Sequence, residues 1–348
     1  MLDDPTLTTQ PPQLAALDAE SLARIYFGRD LKAHALSGER DRNFRMEGQD
    51  GSQFLLKISN PAEASDIVNL QTCVLGHLSR TDPGLAVPRP VVAIDGTYET
   101  PITLDDGRES ILRMLTFLPG MPLSQSTRTT AQRRALGQIL ARLDQALAGF
   151  THPAAQHELL WNAAAAHRLN GMIDSIAETS RRKLVQRFMV DYEAITLPQL
   201  QSLRSQVIHN DFNLGNVLVN PARNDEVAAI IDFGDVVHGP LVTEIATAAA
   251  YQLADGVDPL RSAAEMVGGY DEIVPLLKAE QAVMLDLVTA RLVVTVLITE
   301  WRAERYPENR DYIMRNNGLA WAGLNHIAQL PRDVASRQLL QFCRSGDE

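Results

Sequence analysis

The sequence predicts an α+β fold of two lobes, a small antiparallel-sheet lobe followed by a larger, mainly α-helical one. Three observations carry that prediction. Between Leu31 and Leu118 short apolar runs alternate with tight polar turns, the mark of antiparallel hairpins. From Leu136 onward apolar residues recur at spacings of three and four, the stripe of amphipathic helices. One short strand pair, Val217–Val219 and Val227–Ile231, then interrupts the helical half. The 348 residues leave room for two units at roughly 150 residues each. They divide into a flexible tail over 1–15, an N-terminal lobe over 16–118 and a helical C-terminal lobe over 119–348.

Each element follows from its residues. Pro5, Pro11 and Pro12 among Thr and Gln leave the first 15 residues too little apolar area to offset their ordering entropy. A helix runs from Asp18, with Leu22 and Ile25 facing inward. The turn Ser37-Gly38-Glu39-Arg40-Asp41-Arg42-Asn43 leads into a strand at Phe44, and the turn Gln49-Asp50-Gly51-Ser52 into Phe54–Ile58. Ile67, Leu70, Val74, Leu75 and Leu78 mark one face of a helix over 62–78, which Pro83 and Gly84 stop. Val91–Ile94, ahead of Asp95-Gly96, and Ile111–Leu118, ahead of Pro119-Gly120, complete the sheet. Leu136, Ile139, Leu140, Leu143 and Leu147 open the helical half. Its most apolar stretch, Ala282–Ile298, is broken by Asp286 and Arg291, short of the roughly 20 apolar residues of a membrane span, and reads as a buried helix.

Composition excludes several classes of function. With 45% hydrophobic and 22% charged residues the chain is an ordinary globular mixture, not a disordered, collagenous or coiled-coil one. Its 43 acidic residues against 32 Lys and Arg give a formal charge of -11, which repels a phosphate backbone and an anionic bilayer, so no nucleic acid and no membrane is expected as a partner. Cys73 and Cys343 form no CxxC pair and no Cys/His cluster, which excludes a disulfide framework and a structural zinc site and fits a reducing cytoplasm. The polar, acidic first thirty residues are not a secretory signal.

The chemistry concentrates in Val207-Ile208-His209-Asn210-Asp211-Phe212-Asn213-Leu214-Gly215-Asn216 and, past the strand pair, Ile231-Asp232-Phe233-Gly234-Asp235. Asp211 and Asn216 enter one strand and Asp232 leaves its partner, so a hairpin brings them to one end. Phosphoryl transfer needs such a set: a carboxylate for the attacking hydroxyl and two oxygen ligands for magnesium. Asp and Asn are also common at capped turns, and a lone His before an acid is more often structural than catalytic.

Those two segments resemble the kinase superfamily, whose catalytic loop reads His-x-Asp with Asn five residues on, ahead of Asp-Phe-Gly. The loop has Asn210 where protein kinases carry Arg, and no Ala-Pro-Glu follows Asp232, so a protein acceptor is disfavoured. Over residues 20 to 330 the chain is similar to the aminoglycoside phosphotransferase family of small-molecule kinases, and so to a bilobal protein-kinase-like fold. Asp232 through Glu244 and Ser37 through Phe44 most resemble the hydroxylysine kinases and their relatives fused to aminotransferases.

The resemblance implies roles. Asp211 is the catalytic base, Asn216 and Asp232 the Mg2+ ligands, and His209 a packing residue. Lys57 anchors the phosphates of ATP or GTP. The turn with Ser37, Gly38 and Asn43 covers them, although it lacks Gly-x-Gly-x-x-Gly, and the backbone of Leu115, Phe117 and Leu118 receives the purine. Asp211, Asp235, Glu244 and Trp161 face the acceptor; for Asp235 and Glu244 bracing of the loop is an equal alternative, and for Trp161 core packing competes with an aromatic face for an ammonium group. The implied acceptor is a small hydroxylated amine or amino acid, first 5-hydroxylysine, with choline, ethanolamine, homoserine or an aminoglycoside as rivals and a functional link to an aminotransferase or lyase. One departure stands out: Asn69 occupies the place of the helix glutamate that pairs with the strand lysine. Asp66, ahead of Glu63, is then the expected partner of Lys57, and an inert nucleotide-binding module is the alternative that Asn69 favours.

Overall fold

The computed structural model describes residues 5–38, 40–253 and 258–344; Glu39 of the first turn and residues 1–4 of the expected tail lie outside the described residues. From α1 (Pro5–Thr8) the chain follows the sheet, with Thr9, Gln10 and Leu14 carbonyls accepting from Asn60 Nδ2, Arg108 Nη1 and Arg42 Nε at 3.0–3.2 Å. In α2 (Ala16–Phe27) the buried stripe is Ala19, Ala23 and Phe27, while Ile25 is exposed. Small residues at a spacing of four let this helix lie close to the sheet, which turns Ile25 outward against expectation.

The sheet is antiparallel throughout. Its strands are β1 (Leu31–Leu36), β2 (Arg42–Gly48), β3 (Gln53–Ile58), β4 (Pro90–Val91), β5 (Thr100–Thr103) and β6 (Glu109–Thr116). They lie in the order β1-β2-β3-β6-β4, with β5 also on β6. The run Val91–Ile94 stops being a strand almost at once, with Val92 and Ile94 exposed. Helix α3 (Ser65–Thr81) connects β3 to β4 and buries Leu70, Val74, Leu75 and Leu78. Those four residues belong to the apolar cluster of the C-terminal half, not to the sheet's own cluster of Phe44, Met46, Leu56, Ile58, Leu112 and Met114.

Past β7 (Met121–Pro122) the chain is mainly helical: α4 (Thr130–Leu147), α5 (Thr179–Asp191) and α6 (Leu197–Leu200) precede a second strand group. That group is β8 (Ser205–Ile208), the hairpin β9 (Val217–Asn220) with β10 (Arg223–Ile230), and β11 (Val237–Pro240), which returns to pair with β8. The helices α7 (Val242–Ala250), α8 (Pro259–Asp271), α9 (Lys278–Arg305), α10 (Arg310–Ile313), α11 (Asn317–Ala328) and α12 (Arg332–Leu339) follow. Helix α9 is long and apolar enough to cross a membrane, but 89% of that window is buried inside the protein. It is the central core helix, packed among α7, α11 and the 3-10 segment Ala163–Ser175.

Candidate active site

Strand β8 runs into His209-Asn210-Asp211, and the β9–β10 hairpin returns at Ile231-Asp232. Two bonds stitch these loops together: Ile231 N donates to Asn216 O at 2.9 Å, and His209 Nε2 donates to Ile231 O at 3.2 Å. The other ring nitrogen, Nδ1, accepts from Asp211 N at 3.2 Å, and Phe233 packs edge-on against the imidazole with centroids 4.6 Å apart. His209 is thereby spent on shaping the loop. Asn210 and Asp232 both have φ of 63°, a region that few residues besides glycine enter and that Asn and Asp tolerate best. Such strain persists only where neighbours hold it. Asn210 is held by Glu244, whose Oε2 accepts from Asn210 N at 2.8 Å.

Asp211 is gripped on both oxygens. Oδ2 accepts from Asn216 Nδ2 at 2.6 Å and Asn213 Nδ2 at 2.9 Å; Oδ1 accepts from Arg291 Nη2 at 2.9 Å. Burial, with the neighbouring charge of Asp235, pushes its carboxyl up to about 7, against the opposing pull of Arg291. Arg291 comes from the apolar face of α9 and is 1% exposed. It also donates to Tyr251 Oη at 2.9 Å and Trp161 O at 2.5 Å, with its guanidinium 5.6 Å from the Trp161 ring and 5.5 Å from the Tyr251 ring. The only sequence signal was an arginine inside an apolar helix, and a fully buried cation needs an anion. The cation on Trp161 is thus the protein's own, where core packing and an acceptor ammonium were the two readings.

Lys57 reaches the same place from β3. Its Nζ lies 2.9 Å from Asp41 Oδ2 and 3.8 Å from Asp232 Oδ1. The expected partner Asp66 is exposed in the first turn of α3, and Asp41 of the β1–β2 turn takes its place. Asn69 is turned away: its Nδ2 donates to Glu99, and its Oδ1 meets His152 Nε2 at 3.0 Å. Burial alone would raise Asp232, but Lys57 and Arg40 outweigh it and hold that carboxyl below its usual range.

The other expected residues separate by surroundings. Asn43 stands opposite Lys57 on β2, with its Oδ1 buried and without a hydrogen-bond partner. Gly38 makes the turn possible, since a Cβ there would sit 2.4 Å from Asp41 O, and Ser37 is exposed beside it. At the hinge, Leu115 pairs with Leu55 and Pro90, and Thr116 N and Phe117 N donate to Arg89 O and Gln53 O. The Phe117 N–H, expected to serve a purine, is therefore already used. Asp235, 5% exposed, pairs with Arg40 at 2.5 Å. Glu244 is wholly buried and braces Asn210, which removes it from the acceptor set.

Asn216 spends its amide N–H on Asp211, so its Oδ1 and the ionised Asp232 carboxylate are the hard oxygen donors at this end of the hairpin. That pair suits Mg2+, which takes one or two protein oxygens and completes its shell with phosphates and water. Among the described residues no group of three or more His, Cys, Asp or Glu side chains is placed to hold a metal alone.

A family model described as the phosphotransferase enzyme family (APH) matches residues 31–274. The hydroxylysine kinase of Mus musculus is 26% identical over 343 residues, 92% of this chain and 90% of its own length. That of Xenopus laevis is 25% identical over 354 residues, 95% and 94%. Among solved structures, an amicoumacin kinase superposes with a TM-score of 0.65 at 16% identity, covering 86% of this chain and 93% of that one. A microcompartment-associated aminopropanol kinase does so with 0.64 at 18% identity, covering 95% and 99%. These last two likenesses are of fold.

Proposed function

Because the chain belongs to the phosphotransferase enzyme family, we propose that it moves the γ-phosphoryl group of ATP or GTP to the hydroxyl of an amino alcohol or hydroxy amino acid, with 5-hydroxylysine the first acceptor to test. The observation that carries this reading is the convergence of Asp211, Asn216, Asp232 and Lys57 at one hairpin end. The transition state of phosphoryl transfer is loose and leaves the protein little covalent work, so these residues act by placement. Asp211 is the base. Arg291 fixes Oδ1, Asn213 and Asn216 fix Oδ2, and the carboxylate is aimed at one direction from which a hydroxyl can donate. Its raised carboxyl suits a group that accepts a proton near neutral pH.

Lys57, beside Asp232, is placed to meet the phosphates. Asn216 and Asp232 would hold Mg2+, which when bound neutralises charge on the transferred group. Water exclusion falls to the β1–β2 turn, stapled across the cleft by Arg40 and Asp235. The acceptor class draws on the relatives: hydroxylysine and aminopropanol, the acceptors in their names, are both amino alcohols. The inert-module alternative loses its support, because Lys57 has a carboxylate partner despite Asn69.

Nucleoside diphosphate release from ATP and from GTP, with Mg2+, is the test, across hydroxylysine, aminopropanol, ethanolamine, choline, homoserine and an aminoglycoside. Hydroxylysine should give the largest stimulation, and Asp211→Ala should lower turnover by about 10³-fold or more with nucleotide affinity little changed. Silence with every amino alcohol, or an unaltered Asp211→Ala, overturns the reading.

A further inference from the structure

The turn over the cleft has one glycine, and that glycine serves the turn. Gly38 could not carry a Cβ without meeting Asp41 O at 2.4 Å and Asn43 Nδ2 at 2.9 Å. No run of glycine N–H groups is left to cradle phosphates in the manner of a glycine-rich loop. What the turn carries into the cleft is charge. Asp41 and Arg40 sit on backbone tied to the end of β3: Asp41 Oδ1 accepts from Asn60 N at 2.8 Å, and Arg40 O accepts from Asn60 Nδ2 at 3.0 Å. Asp41 faces Lys57. Arg40 crosses to the opposite wall, where its Nη2 lies 2.5 Å from Asp235 Oδ1.

That wall is the segment just after Asp232. A Cβ placed on Gly234 would stand 3.5 Å from Arg40 Nη2 and 3.1 Å from Asp232 Oδ1, so the guanidinium and the metal-binding carboxylate flank a single glycine. The bond to Asp235 uses one of the five N–H donors of a guanidinium. Asp235, almost fully buried, serves as a fixed dock that holds the cation over the site before any substrate arrives, which removes the cost of ordering a long side chain during reaction.

We infer that Arg40 is a catalytic residue, an arginine supplied by the covering turn that contacts the transferring phosphoryl group and takes up its transition-state charge, with Asp235 as its docking partner. This rests on the phosphotransferase reading of the same site. In phosphoryl transfer, charge spreads over the equatorial oxygens of the transferred group, and an arginine supplied by the same chain or by a partner is a recurrent way of meeting it. Lys57 and the metal ligands meet the remainder of the triphosphate. Arg40 is the cation next to Gly234, and its planar fork suits phosphate oxygens better than a lysine point charge.

The test reads the transition state without needing the acceptor. Binding of Mg-ADP is measured on the full chain with and without aluminium fluoride, for the unsubstituted protein, Arg40→Ala and Arg40→Lys. The unsubstituted protein should bind ADP more tightly with the fluoride, and Arg40→Ala should lose about 10²-fold of that gain while Mg-ADP alone changes less than about threefold. Arg40→Lys should not restore the gain, and guanidinium ion added to Arg40→Ala should restore part of it. Asp235→Asn, which frees the side chain without removing it, should give a smaller loss, and the double variant should be no worse than Arg40→Ala. Equal weakening of ADP with and without fluoride would make Arg40 a nucleotide anchor and overturn the inference, as would an unchanged Arg40→Ala or no fluoride gain in the unsubstituted protein. The acceptor panel above fails or succeeds independently, because aluminium fluoride replaces the transferred group and not the acceptor.

Discussion

Replacing Arg291 by Met tests how the base is held. Met keeps most of the side-chain volume on α9 but removes the guanidinium from Asp211 Oδ1, Tyr251 Oη and Trp161 O. Removing one member of a fully buried ion pair costs about 3–5 kcal/mol. The Asp211 side chain keeps 19% of its surface in water, which recovers part of this and leaves about 2–3 kcal/mol. With an unfolding entropy of about 2.1 cal/mol/K per residue over 348 residues, that is a fall in Tm of about 3–4 °C. Asp211 keeps Asn213 and Asn216 on Oδ2, so it is misaimed rather than lost, and a kcat about 10²-fold lower is the expected consequence of a displacement near 1 Å. Thermal unfolding and steady-state turnover at saturating nucleotide and acceptor read the two effects. Arg291→Lys should lie between, since a point charge reaches fewer of the three acceptors. An Arg291→Met variant with unchanged kcat and Tm refutes the reasoning; so does a defect confined to the acceptor KM, which would make Arg291 a substrate contact.

Two further outcomes follow from the same geometry. Asp41→Asn removes the carboxylate 2.9 Å from Lys57, a charge-assisted bond of about 1.5–3 kcal/mol, and should raise the nucleotide KM at least about tenfold, while Asp66→Asn, on the exposed turn of α3, changes it little; the reverse ranking, read from nucleotide titrations, rejects Asp41 as the lysine's partner. Asp144, 1% exposed and accepting from Tyr270 Oη at 2.6 Å, is pushed well above the usual carboxylate range by burial and then by Glu244. Its protonated form is favoured by folding, so its stabilisation is complete below the unfolded value of about 3.9 and lost as pH rises through the raised folded value. Asp144→Asn should therefore gain Tm relative to the unsubstituted protein as pH rises from 5 to 8, and a difference that stays flat over that range contradicts the assignment.

The parts of the site that were legible in the sequence are those whose geometry is local. Asp211 and Asn216 lie on one loop, and Asp232 is returned by a hairpin whose strands and turn can be read directly, so their meeting follows from short-range pairing. The same holds for the hairpins β1–β2 and β2–β3, whose polar turns separate clear apolar runs. Arg291 and Asp41 were not legible, for different reasons. Arg291 meets Asp211 across 80 residues of chain, and periodicity on α9 shows that its face is buried without saying against what. Asp41 meets Lys57 only because β2 registers Asn43 opposite Lys57, which places the turn residue just before β2 over the lysine. The outward Ile25 and inward Ala19 and Ala23 show a third limit: a tight helix–sheet approach selects small residues over large ones, and hydrophobicity alone ranks them the other way.

The exchange of a helix carboxylate for a turn carboxylate beside Lys57 changes what governs the site. Leu70, Val74, Leu75 and Leu78 commit α3 to the C-terminal core, so this helix is part of the base on which the sheet sits. Its polar side meets the sheet and the metal loop through Gln71, which accepts from the buried Arg113 Nη2 at 2.8 Å and donates to Gly234 O at 3.4 Å. Helix α3 thus supports Gly234 from below and leaves Lys57 to the β1–β2 turn. That turn carries both Asp41, which sets the lysine, and Arg40, which docks on Asp235. Asp41 Oδ1 and Arg40 O are both tied to Asn60 at the end of β3, so the sheet sets the lysine and the arginine together, and a helix fixed by its own apolar stripe takes no part in aligning them.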